Sequence, residues 1–97
     1  MFMVFLKFSA GKPRAPEFMA AHKAWIRQGV DDGVFLLVAS LQPQAGGAIL
    51  AQGVTRAELD ARLAADPFVQ EDVVRAEVFE LAPNLAAPQL SFLLPQA

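Results

Sequence analysis

The stretch Phe2-Met3-Val4-Phe5-Leu6-Lys7-Phe8 decides the fold. Aromatic and branched residues dominate it, and Lys7 is its one polar member. Both alternating faces are therefore apolar, which reads as a strand that needs cover on two sides. Ser9 to Arg14 is a polar loop in which Lys12 and Arg14 are candidate contacts for an anionic substrate or, as the preferred reading, merely solvated side chains. From Glu17 to about Gly29 the apolar residues follow a helical period. Phe18, His22, Trp25, Ile26 and Val30 face inward, with Lys23 and Arg27 outward. Asp31-Asp32-Gly33 ends that helix, and Val34–Ala39 is a second, continuously apolar strand.

The second half has the same layout. Gln42 to Gly47 is a loop, and Gly46-Gly47 reads as a turn because it lacks the spacing of a phosphate-binding fingerprint. Ala48–Gln52 is a short third strand closed by Gly53. Thr55, followed three residues later by Glu58, has the pattern of a capping box. The helix it opens runs to about Ala65 and buries Leu59 and Leu63. Asp66 caps a short turn begun by Pro67, since proline fits a first helical position. Arg75–Leu81 is the fourth strand. The compact domain spans 1–82, and 83–97 is an irregular tail in which Leu90–Leu94 is a candidate edge strand.

Strand–helix–strand, twice over, is the ferredoxin-like βαββαβ plan: a four-stranded antiparallel sheet with both helices on one face. The other face of such a sheet would be a large exposed apolar patch, which monomers rarely carry. Composition points the same way. The chain has 97 residues, of which 55% are hydrophobic, above the usual ~45–50%. A domain this small buries only about 60–65% of its unfolded surface. The expectation is a homodimer formed through the sheet face, an α+β barrel built from two chains.

Several function classes recede. Lys and Arg total 8 against 10 Asp and Glu, for a net charge of -2, without a basic stripe; nucleic acid is not expected as a partner. There are no cysteines and one histidine, so neither disulfides nor a resident metal site is expected. No apolar run approaches the roughly 18–20 residues that span a bilayer. Met1–Phe8 lacks a basic lead-in and a cleavage-like segment. The expected compartment is the cytoplasm.

The chemistry-bearing residues are few. His22 is a titratable imidazole on an apolar helix stripe, and it must find a partner or stay neutral. Imidazole can take and give a proton near neutrality; its ordinary alternative is a structural ring bonded to a carbonyl. Asp66 offers a carboxylate at a helix-to-strand corner, where capping alone would account for it. If the two meet, the carboxylate orients the ring, as in a triad, although no nucleophile is evident. Ser40, at the exit of the second strand, is a candidate ligand contact or a turn former. Lys7 is a candidate ligand contact or a side chain reaching solvent. Phe68 and Trp25 read as core, and both are candidates for one wall of a substrate cleft.

Together, four segments resemble the YciI-related (YCII) family. They are the strand Phe2–Phe8, the helix segment His22-Lys23-Ala24-Trp25-Ile26-Arg27-Gln28-Gly29, the pair Gly46-Gly47, and Asp66-Pro67-Phe68-Val69 leading into Val73–Leu81. The resemblance spans about Met1 to Pro83. It implies a dimeric α+β barrel with a cleft beside the sheet, in which His22 and Asp66 match the family's histidine and aspartate. One departure is local. Where the family often has a Gly-Pro turn after the second strand, this chain has Ala39-Ser40-Leu41-Gln42-Pro43, which adds a hydroxyl.

The leading expectation is a small cofactor-free enzyme using a His–Asp pair for acid–base chemistry on a small metabolite, of lyase, isomerase or dehydrohalogenation type. The alternative is a non-catalytic ligand-binding or accessory module on the same scaffold. A third reading, a haem-degrading or quinol-oxidising monooxygenase, rests on fold analogy alone.

Overall fold

The computed structural model describes residues 1–95. Four strands, β1 (Phe2–Phe8), β2 (Phe35–Leu41), β3 (Gly46–Ala51) and β4 (Val74–Glu80), form one antiparallel sheet in the order β2-β3-β1-β4. Helix α1 (Ala15–Asp31) joins β1 to β2, and α2 (Arg56–Ala64) with the short α3 (Pro67–Gln70) joins β3 to β4. This is the α+β ferredoxin-like arrangement, with each helical crossover spanning a strand that runs the other way.

Strand parity sets the two faces. Phe2, Val4 and Leu6 of β1 point under the helices and are buried, as are Ile49 and Ala51 opposite them. Phe35, Leu59, Leu63 and Phe68 close this core from β2, α2 and α3. Each of the larger of these side chains, Ala51 excepted, contributes about 1.5–3 kcal/mol by leaving water. Met3, Phe5 and Lys7 point the other way. There the register lines up Phe79, Met3, Leu50 and Leu37 as one apolar row across all four strands. No described element covers that row, and Leu37 and Phe79 are 58% and 48% exposed.

The helices follow from local signals. Pro16 and Glu17 occupy the first turn of α1, which therefore starts two residues before the period alone suggests. Thr55 and Glu58 complete their capping box: the Thr55 N–H donates to Glu58 Oε1 at 2.8 Å, and the Glu58 N–H donates to Thr55 Oγ1 at 3.1 Å. Near its end α1 approaches β2 so closely that Gly29 is required, because a Cβ there would run into the Phe35 ring. Gly29, rather than Val30, is thus the inward residue of the last turn, and Val30 is exposed.

Two further expectations change. Gly46 and Gly47 are the first residues of β3, not a separate turn; Gly46 lies against the Leu6 carbonyl with φ of 128°, where no side chain fits. The segment Leu90–Leu94 is no edge strand. Pro88 opens a 3-10 helix over Pro88–Leu93, fastened by backbone bonds from Leu90 to Ala87 and from Leu94 to Ser91. Proline supplies no ladder donor and fits a first helical position, which favours a turn over a strand.

Candidate active site

His22 and Asp66 meet. Midway along α1 the imidazole faces the Asp66-Pro67-Phe68 corner, and its Nδ1 lies 2.7 Å from Asp66 Oδ1. The aspartate is there because it caps α3: Oδ1 also accepts the Phe68 backbone N–H at 3.0 Å. Its side chain is fully buried, and that of His22 is 12% exposed. An ionised carboxylate can only accept, so Nδ1 must be the donating nitrogen. The tautomer is thereby fixed, and Nε2 is left as the proton acceptor of the neutral ring.

Stacking fixes the plane of the ring as well. Phe68 lies parallel to it, with centroids 3.9 Å apart and an interplanar angle of 4°. Trp25 stacks more loosely at 5.9 Å and 25°. Trp25 is itself held by its indole N–H, which donates to the Arg62 carbonyl at 2.9 Å and ties α1 to α2. Asp66 Oδ2 is buried with no hydrogen-bond partner among the described residues. Both recorded bonds to the carboxylate therefore fall on the one oxygen that faces the imidazole.

The ring borders a cavity of about 300 Å³ between α1 and the sheet. Met19, Ile26 and His22 form its helical side, Leu6, Val38 and Ile49 its floor, and Phe68 one end. Gly47 opens the floor: it pairs with Leu6 and Ser40 on the helix-facing side, and its missing Cβ leaves a gap between them. Every side chain named is apolar except those of His22 and Ser40. The chamber suits a small, largely apolar molecule presented to one imidazole nitrogen.

Of the residues singled out in the sequence, His22, Phe68 and Ser40 line this cavity, with Asp66 behind the ring. Lys7 does not reach it. Strand parity puts Lys7 on the open sheet face, where Nζ pairs with Glu77 at 3.1 Å and both side chains are half exposed. Ile26, one turn after His22, was already on the inward stripe, and Met19, one turn before His22, could have been found by widening it. Gly47 carried no such signal, since its place on the floor depends on the β1–β3 register. Among the described residues, no three His, Asp or Glu side chains cluster as a metal site would require. No helix among the described residues is long and apolar enough to cross a membrane.

No family model and no curated protein matches the chain, so the YciI-related resemblance rests on the quoted motifs alone. Among solved structures the chain is similar to 5-chloro-2-hydroxyhydroquinone dehydrochlorinase (TftG) from Burkholderia phenoliruptrix AC1100, in a complex with 2,5-dihydroxybenzoquinone. The TM-score is 0.67 at 12% sequence identity, over 84% of this chain and 93% of that one. At that identity the likeness establishes the α+β ferredoxin-like fold.

Proposed function

We propose that the protein is a cofactor-free acid–base enzyme acting on a small metabolite, with His22 as the proton-transfer group and Asp66 as its positioning residue. The observation that carries this reading is the 2.7 Å Nδ1–Oδ1 contact behind a ring that faces an apolar cavity. Nε2 would take a proton from a bound carbon or hydroxyl, and the imidazolium so formed would face the buried carboxylate. In an elimination, the C–H electrons become the new π-bond and the leaving group departs as an anion. In an isomerisation, the same proton returns to a different carbon. The dehydrochlorinase activity of the structural neighbour is in keeping with chemistry of this class.

The same reading includes membership of the YciI-related family, a cytoplasmic setting and a homodimer formed through the open sheet face. The apolar row Phe79–Met3–Leu50–Leu37 supports the last of these. One observation favours the non-catalytic alternative: among the described residues, His22 is the single titratable side chain lining the cavity, so a second proton-transfer group would have to come from the substrate.

The test incubates single-ring ketones, lactones and halogenated hydroquinones with the protein in D₂O and follows deuterium incorporation, isomerisation or halide loss by NMR. Wild type should convert at least one compound, and His22→Gln should be slower by about a hundredfold or more. His22→Asn places an amide near Nδ1 and keeps the contact to Asp66, yet it should be equally inactive. Undiminished turnover in either folded variant overturns the assignment. Binding without chemistry across the panel selects the binding module.

A further inference from the structure

The cavity at His22 adjoins a second chamber of about 390 Å³, with Phe8, Ser40 and Gly46 as shared walls. Lys12 borders the outer chamber only, together with Gln42 and Gln44. Its ammonium lies 4.7 Å from the centroid of the Phe8 ring, over the wall common to both spaces. Among the described residues, no acidic side chain lines either chamber.

Nearby cations are committed elsewhere. Arg14 pairs with Glu71 at 3.3 Å, Arg75 with Asp72 at 3.5 Å, and Lys7 with Glu77 on the opposite sheet face. Lys12 has no ion-pair partner among the described residues. A cation resting on an aromatic wall, at the mouth of a cavity without acids, creates positive potential where one end of a bound molecule would emerge. The inner chamber offers apolar surface, one imidazole nitrogen and room for about one substituted ring.

Resting on the acid–base reading above, we propose that the substrate is a single-ring oxyanion. Its ring occupies the inner chamber against Leu6 and Ile49, within reach of His22. Its carboxylate or ionised hydroxyl lies in the outer chamber against Lys12, where the Ser40 hydroxyl can donate a second bond. Lys12 is thus a specificity residue: it sets which ring enters and in which orientation, and it takes no part in moving the proton.

Benzoate and benzamide, near-isosteric and differing in charge, serve as probes. Each is titrated into the full chain at low salt and followed by NMR through the His22 ring and the Phe8 and Ser40 amides. Benzoate should bind about fivefold more tightly than benzamide, and its advantage should shrink as salt rises. Lys12→Met, which keeps an apolar stem over Phe8, should weaken benzoate to the level of benzamide and leave benzamide unchanged. Lys12→Arg should restore the preference.

Equal affinities in wild type, a preference that survives Lys12→Met, or failure of both probes to bind would each overturn the proposal. The two readings fail separately. If the preference is absent but His22→Gln still abolishes conversion in D₂O, Lys12 loses its role and the acid–base reading stands. If the preference depends on Lys12 in a protein that converts nothing, the oxyanion site stands and the acid–base reading falls.

Discussion

Asp66 Oδ1 receives two donors at once, the Phe68 amide and the His22 ring, so one oxygen both starts a helix and holds the imidazole. Removing the ring leaves a buried carboxylate with one bond. His22→Ala should therefore cost about 3 kcal/mol of stability, whereas His22→Asn, which still offers an N–H to Oδ1, should cost clearly less. Urea unfolding of the two variants checks the difference, and equal losses would mean that the N–H bond to Oδ1 does not carry the effect. Gly47 makes an independent prediction. A Cβ there meets only the Ala39 carbonyl, at 3.5 Å, so Gly47→Val should fold while filling the floor and abolishing binding of either ring probe in the NMR titration. The helix face of His22 and the capping corner of Asp66 were legible in the sequence because a helix period and a proline-marked turn are local signals; their meeting was implied only by the family resemblance, since it depends on how α1 and α3 pack. The side taken by Lys7 was not legible. Its strand is apolar at both parities, so nothing in β1 alone tells which side the helices cover.

At the scale of elements, the capping box of α2 couples stability to pH. The Thr55 backbone N–H first, and its hydroxyl second, hold the Glu58 carboxyl below its ordinary 4.5, against a small opposing effect of burial. A carboxyl lowered in the folded state stabilises above its unfolded value, and that contribution disappears as pH falls through the folded value. Thr55→Ala removes the capping hydroxyl and should lose about 1 kcal/mol at neutral pH, whereas Glu58→Gln, which still accepts the Thr55 N–H but cannot titrate, should show a shallower loss of stability than wild type on acidification below 4.5. Parallel acid profiles for Glu58→Gln and wild type would disprove the coupling. Gly29→Ala runs against helix propensity. Alanine is ordinarily the better helix former by about 1 kcal/mol, yet here its methyl meets the Phe35 ring, so the melting temperature should fall rather than rise. Element order and type were legible because strand and helix periods differ; the ends drifted where tertiary contact intervened. Strand β2 runs on to Leu41 through its pairing with Gly46, and a register irregularity between Phe35 and Leu37 changes which of its residues face the helices. Neither leaves a mark in a continuously apolar run.

For the whole molecule, the open sheet face is an apolar surface that no described element covers. If two copies close it, Leu37→Asp should convert a dimer into a monomer with little loss of fold, because Leu37 is 58% exposed in the single chain. Light scattering at micromolar concentration reads this directly, and a wild-type protein that is already monomeric there would rule the dimer out. That the face is apolar was legible from β1 and β2; its exact row, Phe79–Met3–Leu50–Leu37, required the register. The site spans the molecule in another sense. His22 belongs to the first strand–helix–strand half, whereas Asp66 and Phe68 belong to the second, 44 residues on from His22 to Asp66. No partly folded chain with one half formed can present all three. A molecule that seats between them therefore binds the native state alone, and by mass action it must raise the free energy of unfolding, by about 2.7 kcal/mol at a hundred times its dissociation constant. The melting temperature thus becomes a ligand sensor, able to rank candidate substrates before any reaction has been observed.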